Sequence, residues 1–187
     1  MANTSAEIPE RRLTWVSHFG PEHRSSGWEA ASEYLLYALR RCLPGMRSIA
    51  PLTCPPDRLA IWSSRLLYAF TGRRLNASFS NRRLRRFESE FIRKGGRDTS
   101  PCLFYGTAPF LGITPVTPYA CYLDVTYRTS MEWYEQGRRF APFEFRRMED
   151  LEGKWLSRCA RIFVSSEWCA RDIQARYPIS SERIHCV

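Results

Sequence analysis

The stretch 161–187, RIFVSSEWCARDIQARYPISSERIHCV, limits the fold of this chain more than any other part of its sequence. The apolar run at 162–164 is typical of a strand that is buried on both faces of a parallel sheet. The serines at 165–166 can cap a helix, and Pro178 ends that helix because proline has no backbone N–H to continue it. The alternating residues 184–187 predict another strand. A strand, a helix and a second strand in this order form the repeating unit of parallel α/β sheets.

The same alternation of short apolar runs and amphipathic stretches extends over the rest of the chain. Further strands are predicted at the runs 13–16, 49–52, 102–105 and 119–123. Helices are predicted between them, and the last long one begins at Pro142, a favourable residue for a first turn. About six strands and about five helices predict an α/β fold, a Rossmann-like doubly wound, mostly parallel sheet with helices on both faces. We expect residues 1–187 to form a single domain, with residues 1–10 as a flexible lead-in.

Residues 57–72 predict an amphipathic helix. Asp57 is a good N-cap, and Gly72 is a good stop because glycine readily adopts the left-handed conformation at a helix end. Apolar side chains share one face of this helix, namely Leu59, Trp62, Leu66, Ala69 and Phe70. In a globular domain such a face is expected to pack toward the core.

Residues 73–97 form an arginine-rich segment with nine basic side chains. A helix from about Ser80 to Lys94 would carry an apolar stripe of Leu84, Phe87 and Phe91 opposite an arginine-rich face. Three interpretations are open: a surface helix with solvated arginines, a patch for an anionic membrane surface, and a nucleic-acid site. Nucleic acid is the weakest of the three because no recognised nucleic-acid motif is present. The candidate anion patch consists of Arg82, Arg83, Arg85 and Arg86.

The chain as a whole is basic. It has 28 basic and 19 acidic residues, a net charge of +9, and nearly all of its cations are arginines. Arginine favours bidentate contacts with phosphate and carboxylate groups. Nucleic acid, an anionic membrane surface and a phosphorylated substrate are therefore all compatible partners, and the charge does not choose among them.

Neither a membrane span nor a secretory signal is predicted. No apolar run approaches the roughly 20 residues that cross a bilayer, and the N-terminal MANTSAEIPERR lacks the apolar core of a signal peptide. A cytoplasmic location is expected by default. The seven cysteines form no C-x-x-C pair, so no metal site is predicted, and we interpret them as small buried side chains in a reducing compartment.

Two glycine-containing loops follow predicted strands. In open α/β sheets the loops at the carboxyl ends of the strands bind ligands. The helix start within the loop 17–27 leaves backbone N–H groups free for an anion, although a solvated turn explains this loop equally well. The candidate residues of a ligand-binding loop are His18, Gly20, Ser26, Gly27, Gly106 and Thr107.

Asp124 closes the predicted strand 119–123 and is the one catalytic candidate. A carboxylate at the carboxyl end of a buried parallel strand faces the ligand crevice, where it can accept a proton or hold a hydroxyl group. The alternative is that Asp124 serves as the N-cap of the next helix.

Two segments resemble the N-terminal domain of GT-B glycosyltransferases of family four. The first is the strand ending in VSS, followed by a helix with an early aromatic residue and then by SERIHCV. The second is YLDVTYRTSMEWY, which is similar to the Y-x-D-x-T segment of that family. Many members have His-Asp at this point, whereas Leu123 precedes Asp124 here. The resemblance therefore leaves Asp124 as the only polar candidate.

The resemblance implies the acceptor-binding half of a retaining glycosyltransferase, which moves a sugar from a nucleotide sugar to an acceptor hydroxyl. In this family a second domain binds the donor with basic side chains and helix ends, so neither a metal nor another cofactor is implied. A C-terminal GT-B domain, in the same chain or in a separate partner chain, would be needed for activity. The sequence ends at Val187 within a predicted strand, which is unusual for a complete protein, and the resemblance covers only about half of such an enzyme.

Two other functions are compatible with the sequence. A non-enzymatic α/β module would bind anionic partners or a membrane surface through the arginine-rich segment, which would make the protein peripheral to the membrane. A nucleotide-binding enzyme of another Rossmann-like class is disfavoured, because no glycine-rich phosphate fingerprint follows the first strand.

Overall fold

The computed structural model describes residues 12–18, 27–133 and 139–187, and the backbone alone for residues 28 and 29. The predicted lead-in at 1–10 lies outside the described residues. The described strands are β1 (Thr14–Val16), β2 (Arg47–Ser48), β3 (Cys102–Tyr105), β4 (Tyr119–Leu123), β5 (Arg161–Val164) and β6 (Ile184–Cys186). The described helices are α1 (Gly27–Cys42), α2 (Arg58–Thr71), α3 (Asn81–Arg93), α4 (Tyr127–Trp133), α5 (Pro142–Arg158) and α6 (Glu167–Arg176).

The six strands form one sheet in the order β2-β1-β3-β4-β5-β6, and each neighbouring pair is parallel. From β1 the strand order runs to β2 at one edge of the sheet. From β3 it runs through β4 and β5 to β6 at the opposite edge. This is a doubly wound order whose switch point lies between β1 and β3. The predicted α/β fold class, Rossmann-like and doubly wound, is confirmed.

Helices cover both faces of the sheet, because successive side chains of each strand point to opposite sides. On one face Phe104 and Ile162 belong to a core that includes apolar residues of α3, α5 and α6. On the other face Trp15 and Leu103 pack against α1, which contributes Leu39 and its neighbours. The central strands are thus buried on both sides, as their continuous apolar runs predict.

Local signals account for the ends of several helices. The Ser166 hydroxyl accepts from the backbone N–H of Cys169 at the start of α6, as the sequence predicts. Gly72 ends α2 with φ at 66°, a conformation that glycine adopts without strain. Gly153 lies inside α5 because a Cβ atom there would approach the Tyr177 ring to 3.0 Å.

Two predictions are wrong in detail. The second strand is Arg47–Ser48 instead of 49–52; Ile49 and Leu52 are buried beside β1, and each donates its N–H to a β1-side carbonyl at 3.0 Å without forming a regular ladder. The apolar face of α2 is exposed instead of packed: Trp62 is 67% and Phe70 is 82% accessible. The side of α2 that faces the protein carries the small residue Ser64, so the helix is turned opposite to the expectation.

Candidate functional site

A cavity of about 430 Å³ opens at the carboxyl ends of β1, β3 and β4. This is the switch point of the sheet, where the strand order reverses and where open α/β sheets form their ligand crevice. Its size falls within the range of small-molecule sites. Four residues that the sequence singles out line it together: His18, Gly106, Thr107 and Asp124.

Of the remaining loop candidates, the structure describes Gly27 alone. Gly27 is the first residue of α1, is exposed, and is not among the described residues that line the cavity. Gly20 and Ser26 lie outside the described residues. A ligand role for these three residues stays a prediction.

Gly106 and Thr107 form the turn that follows β3. Gly106 has φ at 86°, in the left-handed region that glycine favours, and its N–H donates to the carbonyl oxygen of Tyr122 at 2.8 Å. The turn is thereby tied to the next strand, β4. The Thr107 hydroxyl donates to the carboxylate of Glu152, which lies on α5 beneath the cavity wall.

Glu152 is fully buried and holds three parts of the fold together. Besides Thr107, its carboxylate accepts from the Tyr177 hydroxyl at 2.7 Å and from the backbone N–H of Tyr127 at 2.9 Å. Burial raises the pKa of Glu152, and these three hydrogen bonds oppose that rise. Glu152 is not among the residues predicted from the sequence, although a carboxylate four positions after Met148, on the apolar side of α5, is a usable signal.

Asp124 follows β4 directly, is half-buried, and lines the cavity. The rings of Tyr105 and Tyr122 stack beside it with centroids 5.5 Å apart. Burial, and then the Asp124 charge, raise the pKa of Tyr122 to about 12. The same two causes raise the pKa of Tyr105. Both phenols therefore stay protonated at neutral pH beside this carboxylate.

Asp124 is not the cap of the next helix. The α4 helix begins at Tyr127, and the Thr126 hydroxyl accepts from the N–H of Thr129 at 3.4 Å. Glu152 accepts from the first N–H of the helix. The capping role that competed with a ligand role is thus filled by other residues, and the chemical role of Asp124 stays a prediction.

The opposite wall of the cavity is largely apolar. It includes Phe79, Met131 and Phe140. The Asn76 amide donates to the Tyr127 hydroxyl at 2.8 Å and so fixes the orientation of this wall. A mainly apolar lining with a few polar groups is the usual composition of a site for a small organic ligand.

The arginine patch on α3 lies on the solvent side of that helix. The apolar stripe of α3 is buried in the core, as predicted. Arg83 donates to the carbonyl oxygens of Ser78 at 2.8 Å and Cys54 at 3.1 Å, so its guanidinium is engaged within the protein. Arg86 is half-buried, whereas Arg82 and Arg85 are exposed. Anion binding by this patch stays a prediction, and the two exposed guanidinium groups are its best-placed members.

Among the described residues, no group of three or more His, Cys, Asp and Glu side chains is placed to hold a metal ion. None of the described helices is both long enough and apolar enough to cross a bilayer. No protein-family model matches this sequence, and no curated protein matches it. The family resemblance therefore depends on the two sequence segments described above.

Proposed function

We propose that this chain is the N-terminal, acceptor-binding domain of a retaining GT-B glycosyltransferase similar to family four. The observation that carries the proposal is the cavity at the switch point of the parallel sheet with a half-buried carboxylate, Asp124, on its wall. Of the two sequence segments that resemble the family, one contains this same carboxylate and the other spans β5 to β6.

The lining suits a ligand with several hydroxyl groups and an apolar side. Asp124 offers two acceptor oxygens, which can receive hydrogen bonds from neighbouring hydroxyls or take the proton of an attacking hydroxyl. Gly106 lets a ligand approach the backbone closely, because it has no side chain. Phe79 and Phe140 offer ring surfaces for the apolar side of a sugar or of its aglycone.

Under this proposal the nucleotide sugar is bound mainly by a second domain, in the same chain or in a partner chain. Neither a metal nor another cofactor is required of the acceptor half. We expect this chain alone to bind acceptor weakly and to transfer no sugar, because both walls of the cleft are needed to hold the reacting groups. The location that we expect is cytoplasmic.

The test is a two-dimensional NMR titration of the 187-residue protein with methyl glycosides of common hexoses and, separately, with UDP-glucose. At least one glycoside is expected to shift the amide signals of Gly106, Thr107 and Asp124 in a saturable way. UDP-glucose is expected to cause smaller shifts there.

Two results would overturn the proposal. Stronger cleft binding of UDP-glucose than of every glycoside would point to a nucleotide-binding enzyme of another class. Shifts that are absent from the cleft for all glycosides would remove the acceptor-binding role.

A further inference from the structure

The outward face of α2 presents an uninterrupted apolar stripe to solvent. Its four large side chains are 65%, 67%, 49% and 82% accessible, in the order Leu59, Trp62, Leu66 and Phe70. Their spacing of three or four residues places them on one side of the helix. Contiguous exposed apolar side chains of this size mark an interaction surface, unlike single exposed ones.

Hydrogen bonds on the buried side of α2 fix the orientation of this helix about its own axis. The hydroxyl of Ser64 donates to the carbonyl oxygen of Leu75 and accepts from the N–H of the same residue, both at 3.0 Å. Ser64 itself is buried. Turning the helix so that Trp62 entered the core would carry Ser64 outward, away from Leu75, and break both bonds. The apolar stripe is therefore held outward by the packing of the domain.

The charges around the stripe are all of one sign. Between residues 58 and 74 the sequence holds four arginines and no carboxylate: Arg58, Arg65, Arg73 and Arg74. Asp57, just before the helix, is buried and accepts from the Ser80 hydroxyl at 2.7 Å, which joins the start of α2 to the start of α3. That junction brings Arg82 close enough for its charge to help lower the pKa of Asp57, after the larger effect of the Ser80 hydrogen bond.

We propose that α2 lies flat on an anionic lipid bilayer. Trp62, Leu66 and Phe70 would enter the boundary between headgroups and acyl chains, and Arg58 and Arg65 would contact lipid phosphates. An apolar stripe edged by arginines is the pattern of helices that bind in the membrane interface. All charged side chains between residues 58 and 74 are arginines, which complement the single negative sign of an anionic lipid surface.

The site differs from the arginine patch on α3. The stripe of α3, with Leu84, Phe87 and Phe91, is part of the core and cannot enter lipid. The exposed Arg82 of α3 can only add charge beside α2. A second cavity beside α2, lined by Arg65 and Arg74, shares the residues Asn76, Ser78 and Phe140 with the cleft. This second cavity borders the side of α2 that carries Ser64, and none of the four exposed stripe residues lines it.

The test is flotation of the 187-residue protein with vesicles of phosphatidylcholine, alone or mixed with phosphatidylglycerol. The protein is expected to float with the mixed vesicles and to remain in solution with the neutral ones. The double variant Trp62→Ser, Phe70→Ser is expected to bind about tenfold more weakly or worse. A matched control, Trp133→Ser with Tyr34→Ser, removes equally exposed aromatic side chains elsewhere and is expected to bind like the wild type.

A second variant, Arg58→Glu with Arg65→Glu, tests the charge contribution and is expected to lose the preference for mixed vesicles. No flotation of the wild type, equal flotation of the Trp62→Ser, Phe70→Ser variant, or equal loss in the control would each overturn the proposal. Size-exclusion chromatography gives one more outcome. A wild-type dimer that this same variant converts to a monomer, without vesicle binding, would show that the stripe is an interface between copies of the chain.

Discussion

Replacing Glu152 with leucine tests how far one buried carboxyl group organises the cleft. The substitution keeps a side chain of similar volume in α5, so little cavity is created. It removes the acceptor for the Thr107 hydroxyl, the Tyr177 hydroxyl and the Tyr127 N–H. These three donors come from the turn after β3, the residue after α6 and the first turn of α4.

The expected loss follows from these three contacts. A buried donor left without its acceptor costs about 1–3 kcal/mol, so three of them cost roughly 3–9 kcal/mol. The upper part of that range is not reached, because hydroxyls can rotate toward other acceptors and because the cost of burying the carboxyl itself disappears. We expect Glu152→Leu to lower the free energy of unfolding by about 3 kcal/mol. Glu152→Gln should lose only about 1 kcal/mol, since its amide can still accept from the Tyr127 N–H and donate to a hydroxyl.

The assay is urea-induced unfolding followed by tryptophan fluorescence, with Asp150→Leu as the control on the exposed side of the same helix. The control should change the free energy of unfolding by less than about 0.5 kcal/mol. If Glu152→Leu were as stable as the wild type, or if the leucine and glutamine variants were equally unstable, the hydrogen bonds of Glu152 would not organise this region as described.

Two further predictions concern stability. The ion pairs of Glu90 with Arg93 at 2.6 Å and Lys94 at 3.2 Å lower the pKa of Glu90 to about 2. A carboxyl whose pKa is lower in the folded protein stabilises it above its ordinary pKa, so up to about 1 kcal/mol should be lost as the pH falls from about 5 to about 2. Glu90→Gln should remove that part of the pH dependence of stability. If the free energy of urea unfolding varied with pH in this variant as it does in the wild type, the prediction would be refuted. Gly153→Ala should lower the free energy of unfolding by about 1 kcal/mol, although alanine has the better helix propensity. The new methyl group would press on the ring of Tyr177, which its hydroxyl bond to Glu152 holds in place. An alanine variant more stable than the wild type would show that the ring can move.

The sequence predicts best those elements whose signals are local. Pro142 at the start of α5 and Ser166 before α6 are found where expected, because proline geometry and serine capping act within one helical turn. Asp124 could be placed at the mouth of a cleft because parallel strands bring their carboxyl ends to one edge of the sheet.

The failures have a common cause. The hydrophobic pattern of α2 identifies an apolar stripe at Trp62 and Phe70, but it does not say whether that stripe faces the core, a membrane or another protein. The direction is decided by Ser64 and its distant partner Leu75, a contact that no local pattern reveals. Glu152 was missed in the same way, because its three partners are spread between residues 107 and 177.

The most direct test of the proposed acceptor site is the affinity of the glycoside that shifts the cleft signals most, measured for three proteins by calorimetry. We compare the wild type with Asp124→Asn and with Asp150→Asn, which neutralises an exposed carboxylate outside the cleft. Loss of a charged hydrogen-bond acceptor predicts about tenfold weaker binding for Asp124→Asn and no change for Asp150→Asn. Equal affinity of the wild type and Asp124→Asn would contradict the assignment of this carboxylate to the acceptor.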